Sequence, residues 1–178
     1  MTRISFLLLG ISLLGLIYSC GSDEEVNPTF TVNYKNQELQ GKIGGEDFLY
    51  LDGLVTSAPT GNQFLHTFTI LDTLIDTLTC LPVSDSTKIK WTITADSALV
   101  QPGERKLFFD PLEPSKTVSI RFIYYDTDST QETVTVTKGA YEILSVDTTL
   151  NIISGKMHIK KDNKNTVNGN FKLRYCLY

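Results

Sequence analysis

Apolar and polar residues alternate with a period of two along most of the chain after residue 30, and no window carries the 3.6-residue spacing of an amphipathic helix. Phe30, Val32 and Tyr34 share one face of a first predicted strand over residues 30–34. Residues 39–43 and 46–51 predict the next two strands. Gly44-Gly45 between them predicts a two-residue hairpin turn, because glycine accepts the positive φ that such turns require. In residues 64–71, Phe64, His66, Phe68 and Ile70 lie on one face, and in residues 88–94, Ile89, Trp91 and Ile93 do so. Residues 117–125 put Val118, Ile120, Phe122 and Tyr124 on one face but Ile123 and Tyr125 on the other, which predicts a strand covered on both sides at its far end. Residues 132–137, 141–146 and 149–161 continue a meander, with turns at Lys138-Gly139 and Asp147-Thr148 and a bulge at Gly155. The last strand, residues 166–178, turns Val167, Phe171, Leu173 and Tyr175 inward and leaves Cys176 on the outward phase.

The fold class is therefore all-β, a single antiparallel β-sandwich or barrel-like domain over residues 30–178. Abundant threonine fits half-buried pleated surfaces. Residues 96–114 interrupt the alternation with Pro102-Gly103, Leu107-Phe108-Phe109 and Asp110-Pro111-Leu112-Glu113-Pro114, where closely spaced prolines predict a long loop without a ladder. Phe108 and Phe109 are expected to plug the core, since large apolar groups usually hide; an exposed aromatic contact surface is the alternative.

The N-terminus follows a different pattern. Arg3 precedes an apolar run over residues 4–17, too short for the ~20 residues that span a bilayer, and Leu16-Ile17-Tyr18-Ser19-Cys20 ends that run on a small residue and a cysteine. This resembles a bacterial lipoprotein signal peptide (type II) with its lipobox. The resemblance implies that residues 1–19 are removed and that Cys20 carries lipid, which anchors the chain to a membrane; an ordinary signal peptide or an uncleaved anchor helix is the alternative. Gly21-Ser22-Asp23-Glu24-Glu25 resembles the surface-export signal of lipoproteins from the phylum Bacteroidota, and residues 20–29 also read as a solvated acidic tether. With Gln40-Gly41-Lys42-Ile43-Gly44-Gly45-Glu46-Asp47-Phe48 and Val167-Asn168-Gly169-Asn170-Phe171, the chain resembles small uncharacterised β-rich lipoproteins of Bacteroidota. That likeness implies a cell-envelope address at the outer membrane, with exposure at the cell surface as one arrangement, and it brings no catalytic residues.

Once Cys20 is assigned to lipid, Cys80 and Cys176 remain in a compartment that permits disulfides. A Cys80–Cys176 bridge and two free thiols are both open, and a bridge would lie on the rim or need a register change at Cys176. The formal net charge of −4 and the lack of a basic stripe exclude nucleic acid as a partner. No nucleophile elbow, His-Glu-x-x-His, phosphate-cradling glycine loop or Cys-x-x-Cys occurs, so no catalytic, cofactor-binding or metal residue is assigned. His66 and His158 read as structural strand histidines. Asp72, Asp76, Asp110, Glu113, Asp126 and Asp128 are turn acids suited to local backbone amides, and a glycan hydrolase built on a pair of them is a remote alternative. Residues 126–132 carry oxygens at alternate positions but lack the central glycine of a calcium loop, which favours a hairpin turn. The leading expectation is a non-enzymatic module that binds a protein or glycan partner, with Tyr50, Phe108, Phe109 and Tyr125 as candidate contact aromatics. The runner-up is a barrel-like carrier of a small apolar ligand, its cavity lined by Trp91, Phe122 and Tyr141.

Overall fold

Among the described residues the chain forms thirteen strands and no helix. The structure is a computed structural model that describes residues 30–76, 78–84, 86–109, 111–113 and 117–176. Strands β1 (Gln40–Ile43) and β2 (Glu46–Leu49) flank the Gly44-Gly45 turn, β3 (Asp52–Thr60) and β4 (Gln63–Leu71) make the next hairpin, and the short β5 (Ile75–Asp76) and β6 (Leu81–Pro82) pair only with each other. They are followed by β7 (Lys88–Ala95), β8 (Gly103–Lys106), β9 (Ile120–Tyr125), β10 (Gln131–Val136), β11 (Gly139–Asp147), β12 (Ile152–Lys160) and β13 (Thr166–Cys176). One curled eleven-stranded sheet, a half-barrel, runs in the order β10-β9-β7-β4-β3-β13-β12-β11-β8, with β1 and β2 added at β13. A Phe108–Val118 bridge joins the segment after β8 to the one before β9 and so draws the two ends of the path together.

Gly44 and Gly45 turn at φ +65° and +96° with Ile43 opposite Glu46, the hairpin that the sequence predicts. One strand pairing and one isolated bridge depart from the expected antiparallel sheet: β13 runs parallel to β3, with Arg174, Tyr175 and Cys176 opposite Leu54, Val55 and Thr56, and the Glu38–Asn170 bridge is parallel too. The cause is chain direction. β1 is antiparallel to β13, β2 reverses it, and Tyr50-Leu51 carries the chain on without a further reversal, so β3 arrives alongside β13 in the same sense.

The main core gathers inward phases from both halves of the sheet, including Phe68, Trp91, Phe122, Tyr141, Phe171 and Met157. Trp91 stacks on Phe68 at 4.7 Å between centroids, tilts against Tyr141 at 5.2 Å and meets Phe171 edge-on at 6.1 Å, arrangements that add about 0.5–1.5 kcal/mol per pair beyond burial.

Several expected elements are displaced. Residues 30–34 form no ladder; they lie as an arm across β12 and β13, where the Asn33 amide donates to His158 Nδ1 (3.0 Å), the Lys35 amide donates to Asn168 Oδ1 (2.9 Å) and Phe30 packs on the His158 ring. Asp52–Thr60 is a strand where none was predicted, because Gly53 and Pro59 break its alternation. The 96–114 segment contains β8, which pairs through Gly103–Lys106 with β11 once Pro102 is behind it. The bulge lies in β11 rather than at Gly155: Leu144 is the extra residue between Ile143 opposite Gly155 and Ser145 opposite Ser154.

Cys176 is buried despite its outward phase. A second apolar cluster of Leu54, Leu71, Ile75 and Cys176 covers that face, so its bridge to Cys80 needs neither a rim position nor a register change.

Candidate functional site

Residues 72–87 leave the sheet after β4 and rejoin it at β7. Asp52 receives the Ile75 amide (3.3 Å), Asp76 Oδ1 receives the amides of Leu78 (2.8 Å) and Thr79 (3.3 Å), and the Val83 amide donates to the Leu74 carbonyl (3.1 Å). Cys80, at φ +53°, turns back to form the disulfide with Cys176, 96 residues away in sequence and 6.2 Å away between Cα atoms. Ile75 is buried beneath this projection, whereas Leu74, Leu78, Leu81 and Val83 face solvent, Leu78 with 93 % of its surface exposed. Four large aliphatic side chains face outward within ten residues, and a partner that covered them would release water from apolar surface, which makes this segment a candidate contact site.

A polar groove of about 530 Å³ opens between the N-terminal arm and the β1–β2 hairpin, lined by Lys35, Gln37, Gln40, Asp47, Leu49 and Asn168. Its amides and charges suit hydroxyl-rich ligands, but its one aromatic wall, Phe48, is buried in the core. Two further grooves, of about 340 and 260 Å³, flank Tyr50, whose ring packs on the core and whose hydroxyl bonds to the Lys172 backbone. Burial pushes the Tyr50 phenol above its ordinary pKa of 10.0.

Inside the sheet, Ser57, His66 and Tyr175 form a network. His66 Nε2 lies 3.0 Å from the Ser97 carbonyl, which only accepts, so Nε2 carries that proton and Nδ1 receives the Ser57 hydroxyl at 2.5 Å. Tyr175 donates its one proton to the Ala98 carbonyl at 2.8 Å, so its 2.7 Å approach to Ser57 Oγ, whose own proton goes to His66, is a close oxygen–oxygen contact with no proton shared in this arrangement. A serine beside a histidine is a nucleophile–base pair, but His66 is buried and its far nitrogen closes on the Ser97 carbonyl; with the separate Tyr175–Ala98 bond, these contacts fasten residues 97–98 to β3, β4 and β13.

The four candidate aromatics do not assemble. Phe108 and Phe109 are exposed, at 44 % and 64 %, and the core position beneath them is taken by Leu107, which corrects the expected plug. Phe108 is turned outward by its bridge to Val118, whereas Leu107, one residue earlier, faces in. Tyr125 ends β9 opposite Gln131, and no ring contact among the described residues joins Tyr50, Phe108, Phe109 or Tyr125. Trp91, Phe122 and Tyr141 pack into the core, and the grooves described above are lined by none of them.

Two of the turn acids, Asp76 and Asp126, hold local backbone. Asp126 Oδ1 receives the amides of Asp128 (3.0 Å) and Thr130 (2.8 Å) within the β9–β10 hairpin, and Asp76 serves its own turn. No group of three or more His, Cys, Asp or Glu side chains with metal-binding geometry occurs among the described residues. Cys20 and Asp110 lie outside the described residues. The apolar projection and the Ser57–His66–Tyr175 network had no counterpart in the sequence reading; the nearest signal was Leu74, Leu78, Leu81 and Val83 recurring among turn residues without a strand period. No protein family, curated protein or solved structure among those compared matches the chain.

Proposed function

We propose that the chain is a non-enzymatic cell-envelope lipoprotein, held to the outer membrane by lipid on Cys20, whose β-domain docks a protein partner through the projection at residues 74–83. The observation that carries this reading is the solvent-facing set of Leu74, Leu78, Leu81 and Val83 on a segment clamped by the Cys80–Cys176 disulfide. Clamping limits the ordering entropy lost on binding, so apolar burial converts more fully into affinity. The disulfide also supports an address outside the reducing cytoplasm, in keeping with the lipobox at residues 16–20. A protein is favoured over a glycan because, among the described residues, no exposed ring lines the amide-lined groove, and over an apolar small molecule because the candidate cavity rings fill the core.

Metabolic labelling with a palmitate analogue tests the anchor: label on the wild type and none on Cys20→Ala is expected. Cleavage by protease on intact cells would place the domain outside, and protection would place it in the periplasm. A photocrosslinking residue at Leu78 in living cells tests the contact. One discrete adduct is expected, lost when Leu81→Asp is added and not formed from the same probe at Thr130 in the β9–β10 turn; equal adducts from both positions would reject the projection as the docking site.

A further inference from the structure

The chain enters the domain at a place where lysines gather. Phe30, the first described residue, packs on His158 at 4.7 Å. Around it the Lys160 amide bonds to the Lys138 carbonyl (3.1 Å), Lys161 and Lys164 occupy the turn after β12, the Gly45 amide bonds to the Lys164 carbonyl (3.0 Å), Lys106 pairs with Ala140, and Lys35 is fixed to Asn168. All six of these lysine side chains are exposed. The nearby acids are fewer than the lysines: Asp162 receives the Lys164 amide (2.8 Å), Glu104 receives the Tyr34 hydroxyl (2.9 Å), and Asp47 pairs with Lys42 (3.0 Å). No described salt bridge uses Lys160, Lys161 or Lys164. The positive field is felt locally: after burial, Lys35 and Lys160 are the next causes holding the His158 imidazole below its ordinary pKa.

We propose that this lysine-rich end is a membrane-facing surface that binds anionic phospholipid headgroups, a second anchor beside the lipid on Cys20. Its orientation rests on the anchor reading above. Ten residues, 20–29, reach at most ~35 Å, so a lipid on Cys20 keeps the Phe30 end of the domain within that distance of the bilayer. Lysines near an anionic surface add to the attachment that lipid on Cys20 provides, each worth roughly fivefold in affinity. The chain as a whole is acidic, with a formal net charge of −4, so attraction to an anionic surface has to come from this segregated patch.

The test uses the chain from residue 20 with Cys20→Ser; every strand and core residue of the domain lies after residue 37, so nothing that folds is removed. The probe is sedimentation with vesicles of 30 % phosphatidylglycerol in phosphatidylcholine against pure phosphatidylcholine. Binding to the anionic vesicles only, abolished by high salt, is expected. Reversal at Lys160→Glu, Lys161→Glu and Lys164→Glu should weaken it at least about a hundredfold, while the exposed pair Arg121→Glu and Lys172→Glu should change it by less than about threefold. Equal binding to both vesicles would overturn the proposal, as would equal loss in the two variants. Retention on heparin with no vesicle binding would overturn it in favour of an anionic glycan. The anchor is read separately by palmitate labelling: unlabelled Cys20 with intact vesicle selectivity would reject the anchor and keep the surface.

Discussion

The hydroxyl of Tyr50 accepts the Lys172 amide at 3.3 Å and donates to the Lys172 carbonyl, so a side chain takes the place of a strand. On that side of β13, the segment before β1 reaches Asn170 and β3 begins its pairing at Arg174, which leaves Lys172 between them without a backbone partner. Tyr50 sits where the chain passes from β2 to β3 and fills that seam. Tyr50→Phe keeps the ring on the core but leaves both Lys172 groups unmet. Since water from the flanking grooves can reach them, a loss near the lower end of the 1–3 kcal/mol range is expected, about 1 kcal/mol, in urea unfolding with an unchanged m-value. A variant as stable as wild type would show that the hydroxyl contributes nothing to the seam.

The same phenol carries a pH signature. Its pKa is raised in the folded chain and that of buried Tyr141 is pushed up to about 12, so above pH 10 the unfolded chain releases these protons more readily than the folded one. Stability should therefore fall as pH rises from about 10 to 12, and Tyr50→Phe should flatten part of that slope when chemical unfolding is repeated across the range.

Gly155 lies where close approach, not a turn, demands glycine. A Cβ there would stand 2.4 Å from Phe171 Cζ and 2.7 Å from the Glu142 carbonyl oxygen, the latter on the backbone of the facing strand. Gly155→Ala should cost about 1–3 kcal/mol through overpacking, seen as a lower thermal midpoint with altered near-ultraviolet dichroism from the Trp91–Phe171 contact. An unchanged spectrum with an unchanged midpoint would place Phe171 elsewhere.

Alternation revealed the elements whose two faces meet different media. β4, β7 and β13 each bury one phase against the Phe68–Trp91–Phe171 core, and their boundaries follow the pattern closely. It failed where another contact replaced water or ladder. Cys176 and Leu54 lie on the outer face yet are buried, because residues 72–87 fold over them, a cover encoded far away in sequence. Residues 30–34 alternate like a strand but find side chains, His158 and Asn168, in place of a free edge. The lysine-rich end was illegible for a similar reason: Lys35, Lys106, Lys138 and Lys160 are scattered along the chain, and only the registers of β8, β11, β12 and β13 assemble them.

His158 makes the arm sensitive to acid. Its Nδ1 accepts the Asn33 amide, which requires a lone pair there, and its pKa is lowered by burial first and then by Lys35 and Lys160. The unfolded chain therefore takes up this proton at higher pH than the folded one, so the stabilisation is present above the ordinary value of 6.5 and is lost as pH falls below it. Hydrogen exchange at the Asn33 amide should quicken between pH 7 and 5 relative to core amides such as Phe68, after correction for intrinsic rates. In His158→Gln, whose amide carries no titrating charge, that extra acceleration should vanish; if it persists, another group opens the arm.

The Cys80–Cys176 bridge ties the exposed projection to the end of the last strand and closes a loop of 96 residues in sequence separation. Closing so long a loop restricts the unfolded chain, and loss of a native disulfide of this kind costs roughly 2–5 kcal/mol. The paired variant Cys80→Ser with Cys176→Ser should unfold at correspondingly lower urea concentration, and wild type under reductant should follow it. The two clusters respond differently, because Leu54, Leu71 and Ile75 depend on the projection for cover whereas the Trp91 core does not. Reduction should thus speed exchange at Ile75 and Val83 well before it affects Trp91 or Phe122, an order visible by hydrogen exchange below the global unfolding limit. Simultaneous release of both sets would mean that the projection is integral to the main cooperative unit, and a docking surface built on it would then be as rigid as the sheet itself.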